Sequence, residues 1–329
     1  MMRLLLMICS LCLCVAAAAP PPVIFDTDMG NDVDDAIALA LLHALESRGE
    51  CRIAAVTITK DNPWAPPFVS LVNTFYGRPG IPIGTVKQGV TPEQGNYNRQ
   101  VAERRGAGGA ALYPRGLSET ANVPDAIEVL RRTLAAEADG SVIIVQVGFS
   151  TNLARLLDSP ADKISPLTGR ELAARKVRLL SVMGGHFTDQ KFTEYNIKMD
   201  VPSAQKLFAG WPGAIVAGGY EVGISILYDP ARLETDFRWT EHHPVVDAYR
   251  FYRKMPYREP LWDPASALYA VRPETGYFTL SQPGAVTFAA DGATRFTPSP
   301  EGKHRFLIVS DAQRAAVREA ISALVSQPR

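Results

Sequence analysis

The segment Asp26-Thr27-Asp28-Met29-Gly30-Asn31-Asp32-Val33-Asp34-Asp35 crowds five carboxylates into ten positions. An apolar run, Val23-Ile24-Phe25, leads directly into it, and another, Ala36-Ile37-Ala38-Leu39-Ala40-Leu41-Leu42, follows it. The first run reads as a short buried strand and the second as a helix, so the acids occupy a strand-to-helix turn. Asp34 and Asp35 fall at the helix N-terminus, where the macrodipole favours anions. Two carboxylates about 4 Å apart repel by about 4 kcal/mol at an effective dielectric of about 20. Such crowding persists when the groups face water, share protons or hold a cation. Carboxylates and a glycine, with no His or Cys among them, suit a hard cation, Ca2+ or Mg2+.

The rest of the chain places this turn in a fold. Ile53–Thr59, Val142–Val147 and Val177–Met183 are apolar strand patterns, with shorter ones at Ile81–Ile83 and Ala214–Ala217. Helical spacing is seen over Pro67–Tyr76, Pro124–Ala138, Asn152–Leu157, Pro202–Ala209, Val245–Lys254, Asp263–Val271 and Ala312–Val325. Alternating strands and helices with continuously apolar strands predict an α/β fold, a mostly parallel open sheet flanked by helices. Residues 277–308 alternate with turn residues and predict a late β-hairpin. Residues 86–122 are rich in Gly, Asn, Arg and Pro without a clear period, and read as a long loop near the site or a lid. Ligands of such sheets bind beyond the carboxyl ends of the strands. The acid cluster, Gly148 and Gly184-Gly185 all follow strands, so one sheet edge should gather them.

The 34 Lys and Arg balance 34 Asp and Glu over 329 residues. A chain without net charge lacks the basic field of a general nucleic-acid or anionic-membrane binder. Arg3, the apolar run Leu4–Val15 and the small residues Ala16–Ala19 have the form of a secretory signal peptide over residues 1–19. That run is too short for a comfortable membrane span of about 20 residues. The expected mature chain, 20–329, is one catalytic domain with Cys51 as its only cysteine. Export without disulfides points to secretion into a bacterial periplasm.

Three families open on an acid loop of this kind. An EF-hand loop counted from Asp26 fails, because Gly30 and Asn31 occupy its fifth and sixth positions. Haloacid-dehalogenase-like phosphatases also open on a strand and Asp-x-Asp, but Met29-Gly30-Asn31 does not match their continuation. The segment more closely resembles the opening of the inosine/uridine-preferring nucleoside hydrolase family, Asp-x-Asp-x-Gly followed by Asp-Asp-Ala, with two residues inserted before the final Asp-Asp. The resemblance continues in order along the chain. Asp61-Asn62 resembles the family's Gly-Asn loop, and Val145-Gln146-Val147-Gly148-Phe149-Ser150-Thr151-Asn152-Leu153 its central strand. Met183-Gly184-Gly185, Glu194-Tyr195-Asn196 with Asp200, and Trp262-Asp263-Pro264 resemble the later motifs. Singly, each has a plain structural reading: a turn at Gly184-Gly185, a local cap at Asn196, an N-cap at Asp263.

The resemblance implies a Rossmann-like nucleoside hydrolase fold and a calcium-dependent cleavage of ribonucleosides to base and ribose. It implies that Asp28, Asp35, Asp263 and the Val147 carbonyl hold Ca2+, with Asp28 also the general base. Asp34, Asn62, Glu194 and Asn196 would orient the sugar, and Asp26 would order the loop. Asp32 lies in the insertion and either replaces Asp34 or faces solvent. Many members carry His where this chain has Trp262. An aromatic face donates no strong acid proton but can stack on a base, as in purine-preferring relatives. Trp64 or Tyr97 would supply the other face, and His186 is a candidate acid. The implied partner is a small nucleoside, with no nucleic acid and no membrane after signal cleavage, in a possible homodimer or homotetramer. Two rival readings are a phosphatase using Asp26 as nucleophile, and a ribosyl-binding protein of the same fold without catalysis.

Overall fold

Residues 19–91, 93, 95–189 and 191–328 are described by a computed structural model. The expected signal segment falls outside these residues except for its last position. Ten strands form one sheet: β1 (Pro22–Thr27), β2 (Arg52–Ile58), β3 (Ile83–Thr85), β4 (Val142–Gln146), β5 (Val177–Met183), β6 (Ile215–Gly218), β7 (Thr279–Leu280), β8 (Gly284–Phe288), β9 (Thr294–Pro298) and β10 (His304–Ile308). Their order is β3-β2-β1-β4-β5-β6-β10-β8-β9, with β7 paired to β10. Pairings from β3 through β6 to β10 are parallel, and β7, β8 and β9 join antiparallel.

The unbroken apolar strands are explained by two cores. Val23 and Phe25 of β1 and Ile143 and Val145 of β4 enter one core, with Ile37, Leu41, Leu268 and Ile321. The intervening Ile24, Val142 and Ile144 enter the other, with Leu130, Leu153 and Leu207. Successive strand side chains point to opposite faces, so a strand covered on both faces must be apolar at every position. Helices Asp34–Ser47, Trp262–Val271 and Asp311–Val325 thus cover one face, and Ala126–Ala136, Thr151–Asp158 and Val201–Gly210 the other.

The mostly parallel sheet flanked by helices matches the reading of the sequence, and β8 and β9 form the late hairpin. β10 departs from the hairpin reading. After the β8–β9 excursion the chain re-enters the main sheet, and His304 to Phe306 pair in parallel with Ile215 to Ala217 of β6. Among the described residues, segment 86–122 holds one short helix, Asn98–Ala102, among turns. Among the described residues no helix is long and apolar enough to cross a membrane. Cys51 is free and buried.

The strand order reverses at β1, whose neighbours β2 and β4 lead the chain away in opposite directions. A crevice opens at such a reversal beyond the strand carboxyl ends, because the crossover helices on either side diverge. The acid loop leaves β1 at that place.

Candidate active site

The acid loop is seated by its neighbours. The N–H groups of Val147 and Gly148 donate to the Asp26 carbonyl at 2.7 and 3.3 Å, joining the ends of β1 and β4. A Cβ on Gly148 would lie 2.5 Å from the Asp28 nitrogen, so this approach needs glycine. Beneath the loop, Tyr97 Oη donates to the Asp32 carbonyl at 2.8 Å and Asn98 Nδ2 to the Met29 carbonyl at 2.9 Å. The segment after residue 86 therefore straps the acid loop from below, and Tyr97 is fully buried.

Asp28, Asp34, Asp35 and Asp263 are buried. Carboxylate oxygens of Asp32, Asp35 and Asp263 lie within 4.8 Å of one another, and so do those of Asp32, Asp34 and Glu259. Burial, then mutual repulsion, pushes Asp34, Asp35 and Asp263 well above the usual carboxylate range. Asp28 is pushed up to about 7 by burial first and by Asp32 second. Asp34 Oδ1 and Asp35 Oδ2 are buried without a hydrogen-bond partner. Orphaned buried carboxylate oxygens are costly, and a hard cation with oxygen ligands would satisfy them. The residues present thus fit such an ion.

The crevice is a cavity of about 490 Å³, within the range of small-ligand sites. Asp28, Asp32, Val147, Glu194, Asn196, Trp262 and Asp263 line it. Asn196 Nδ2 donates to the Val147 carbonyl at 2.8 Å, which leaves that oxygen a second lone pair. Glu194 caps the helix Tyr195–Met199, accepting from the N–H groups of Asn196 and Ile197 at 2.8 and 3.2 Å. It also accepts from Gly185 N–H at 3.2 Å, and burial pushes it to about 7.

An aromatic wall closes the opposite side. Trp262 Nε1 donates to the Tyr220 carbonyl at 2.9 Å, and their rings are 5.5 Å apart. Phe192 lies 4.5 Å from Tyr220. Phe192 and Tyr195 remain 38 % and 48 % exposed, an unusual state for large aromatics and one that suits a flat ligand.

The other residues read from the sequence lie elsewhere. Asp34 does not line the cavity; its Oδ2 accepts from Asp263 N–H at 3.0 Å. Asp26 lies behind the loop, accepting from Thr57 Oγ1 at 2.6 Å and Asn152 Nδ2 at 2.8 Å, and burial pushes it to about 7. Asn62 turns back to accept from Trp64 N–H at 2.9 Å. Trp64 lies under the guanidinium groups of Arg99 and Arg115, at 5.4 and 5.9 Å. His186 stacks behind Tyr220 at 5.5 Å, and its Nδ1 accepts from Asp189 N–H at 2.9 Å. Sequence reasoning missed Asn31, Phe192, Tyr195, Tyr220 and Tyr252 of the lining, and Glu259 and Lys60 behind it. The aromatics come from separate segments, a loop and three helices, and no local spacing reports that these meet. Glu259 carried no signal beyond its charge.

A sequence model described as "Inosine-uridine preferring nucleoside hydrolase" matches residues 23–318. The chain belongs to that family. The hydrolase is accordingly an N-ribosyl hydrolase acting on ribonucleosides. No curated protein matches it. Among solved structures, a plant nucleoside hydrolase, PpNRh1, is similar at 23 % identity with a TM-score of 0.70, over 94 % of this chain and 100 % of that one. A purine-preferring ribonucleoside hydrolase from Gardnerella vaginalis is similar at 18 % identity and TM-score 0.68, covering 93 % and 99 %. An inosine-uridine preferring nucleoside hydrolase from Bacillus anthracis is similar at 15 % identity and TM-score 0.66, covering 92 % and 99 %. These likenesses establish the fold that the strand order describes.

Proposed function

We propose that the hydrolase is calcium-dependent, leans toward purine nucleosides and works in a bacterial periplasm after loss of residues 1–19. The observation that carries the reading is one cavity lined at once by Asp28, Val147, Asn196, Asp263 and Trp262. Asp28, Asp32, Asp35, Asp263 and the Val147 carbonyl would hold the ion. Bound there, calcium would acidify a water and anchor sugar hydroxyls.

The chain's own residues supply the rest. Asp28 takes a proton from the attacking water, whose oxygen bonds to the anomeric carbon as the bond from that carbon to the base nitrogen breaks. The sugar passes through an oxocarbenium-like state. Asp32 and Asn196 orient the ribose, which lowers the entropy of activation that water attack otherwise costs. Trp262, Tyr220 and Phe192 hold the base by stacking, and the departing nitrogen takes up a proton from solvent. This aromatic wall supports the purine preference, a property stated in the description of the Gardnerella vaginalis neighbour. Asp26 is fully buried and already held by Thr57 and Asn152, which argues against its service as a phosphatase nucleophile.

The test incubates the purified protein with inosine, adenosine, guanosine, uridine and p-nitrophenyl phosphate, with calcium or with a chelator. Free base and ribose are separated by chromatography. Base release that needs calcium and favours purines supports the proposal. Release in chelator would remove calcium from it, and a pyrimidine preference would remove the stacking role of Trp262.

A further inference from the structure

Lys60 is 1 % exposed, among the largest fully buried side chains of the chain, and it does not line the cavity. It lies two positions beyond the end of β2, beside the acid loop. Lysine is rarely buried so completely unless it is paired. Its Nζ donates to Asn31 Oδ1 at 2.7 Å, and Glu93 Oε2 is 3.8 Å away. Asn31 Nδ2 donates in turn to Asp28 Oδ2. An ammonium only donates and a carboxylate only accepts. The amide between them therefore has one permitted orientation, oxygen toward Lys60 and nitrogen toward Asp28. Without the lysine the amide oxygen would lose its partner, and the Asn31 side chain, anchored at one end only, could swing away from Asp28. Asn31 stands on the cavity wall, in the stretch where this chain is two residues longer than the family pattern.

We infer that Lys60 is a positioning residue that acts through Asn31 to hold the Asp28 carboxylate, pinning Oδ2 and leaving Oδ1 to meet the attacking water. The inference rests on the reading of Asp28 as the base. It gives the acid loop a built-in brace: Asn31 brings a side-chain amide beside the base, and the buried ammonium anchors the oxygen of that amide.

The experiment compares wild type, N31D, N31L, K60M and the K60M/N31D double variant, measuring kcat, KM and melting temperature with the best nucleoside. Crystal structures of wild type and K60M complete it. N31D keeps an acceptor for Lys60 but loses the donor to Asp28. It should lower kcat by about tenfold with KM within about twofold and little change in melting temperature. N31L, which adds no charge, should lower kcat likewise with KM little changed, but it also strands the Lys60 ammonium and should lower the melting temperature. The double variant should be no worse than the poorer single one, because both act on a single linkage. In K60M crystals, Asn31 should leave Asp28 Oδ2. Wild-type kcat in N31D and N31L, losses that multiply in the double variant, or an unmoved Asn31 in K60M would each overturn the inference. Absence of base release by the wild type would instead overturn the proposed function, and the crystal comparison would still decide the Lys60–Asn31–Asp28 linkage.

Discussion

The backbone N–H of Asp263 donates to Asp34 Oδ2 at 3.0 Å, across 229 positions of sequence. This bond draws Asp34 behind the cavity and leaves Asp32 on its wall. D34N keeps an acceptor for the Asp263 N–H, so KM should stay within about twofold of wild type. D32N removes a charge from the cavity wall, where the proposal sets both ion and sugar, and should raise KM by about tenfold. Steady-state kinetics with saturating calcium compares them, and the opposite ranking would return the sugar contact to Asp34.

The metal-free protein should lose stability as pH rises. Burial holds Asp26, Asp28 and Glu194 at about 7, above the roughly 4 of an unfolded carboxyl. The folded chain therefore binds more protons than the unfolded chain between these values. Stability from these groups is complete below about pH 4 and is lost as pH rises through about 7. In chelator, the melting temperature should fall between about pH 5 and pH 8. Calcium at about a hundred times its Kd should add about 2.7 kcal/mol and flatten the decline. Scanning calorimetry checks both, and a flat profile in chelator would contradict the buried protonated acids.

Gly223 sets the place of Trp262. A Cβ there would lie 2.1 Å from Trp262 Cδ1 and 2.4 Å from its Cα. G223A should displace the indole and destabilise the fold by about 1–3 kcal/mol through overpacking. W262A should raise KM for purine nucleosides by about tenfold, since stacking on an aromatic is worth about 1–3 kcal/mol per base. Melting curves and substrate titrations separate the two effects. An unchanged KM in W262A would leave the indole a purely structural part of the wall.

Tyr97 holds the acid loop through one hydroxyl, 2.8 Å from the Asp32 carbonyl. Y97F keeps the ring and removes that bond, at a stability cost of about 0.5–1.5 kcal/mol. Loosening Asp32 should lower kcat/KM several-fold, in line with the sensitivity of reaction rates to small misplacements. Full activity in Y97F would show that the loop is rigid without its strap.

Much of the architecture was legible because burial on both faces writes itself as unbroken apolar strands, as in Val142-Ile143-Ile144-Val145. β10 was not legible as a parallel strand: it mixes buried His304 and Leu307 with more open Arg305, Phe306 and Ile308, and nothing local encodes which partner it meets. Within the cavity, Asp28, Val147, Glu194, Asn196, Trp262 and Asp263 were named from motifs at strand ends. Asn62, Trp64 and His186 were named by the same logic and lie off its lining, because side-chain direction is decided by local bonds that sequence order does not report. Lys60 sits in Thr59-Lys60-Asp61-Asn62, which reads as an ordinary polar loop. The amide of Asn31, brought from another strand end, and the carboxylate of Glu93 make its burial tolerable.

The reversal of strand order at β1 also has a temporal meaning. The carboxylates proposed to hold the ion come from residues 28, 32 and 35 at one end of the chain and from residue 263 near the other. During synthesis, the acidic loop emerges long before the helix that carries Asp263. The centre can close only once the late helix has docked against the first. Such sequence-distant closure is slow to form. It also means that a chain cut short before residue 263 has the loop and most of the strands but no assembled centre.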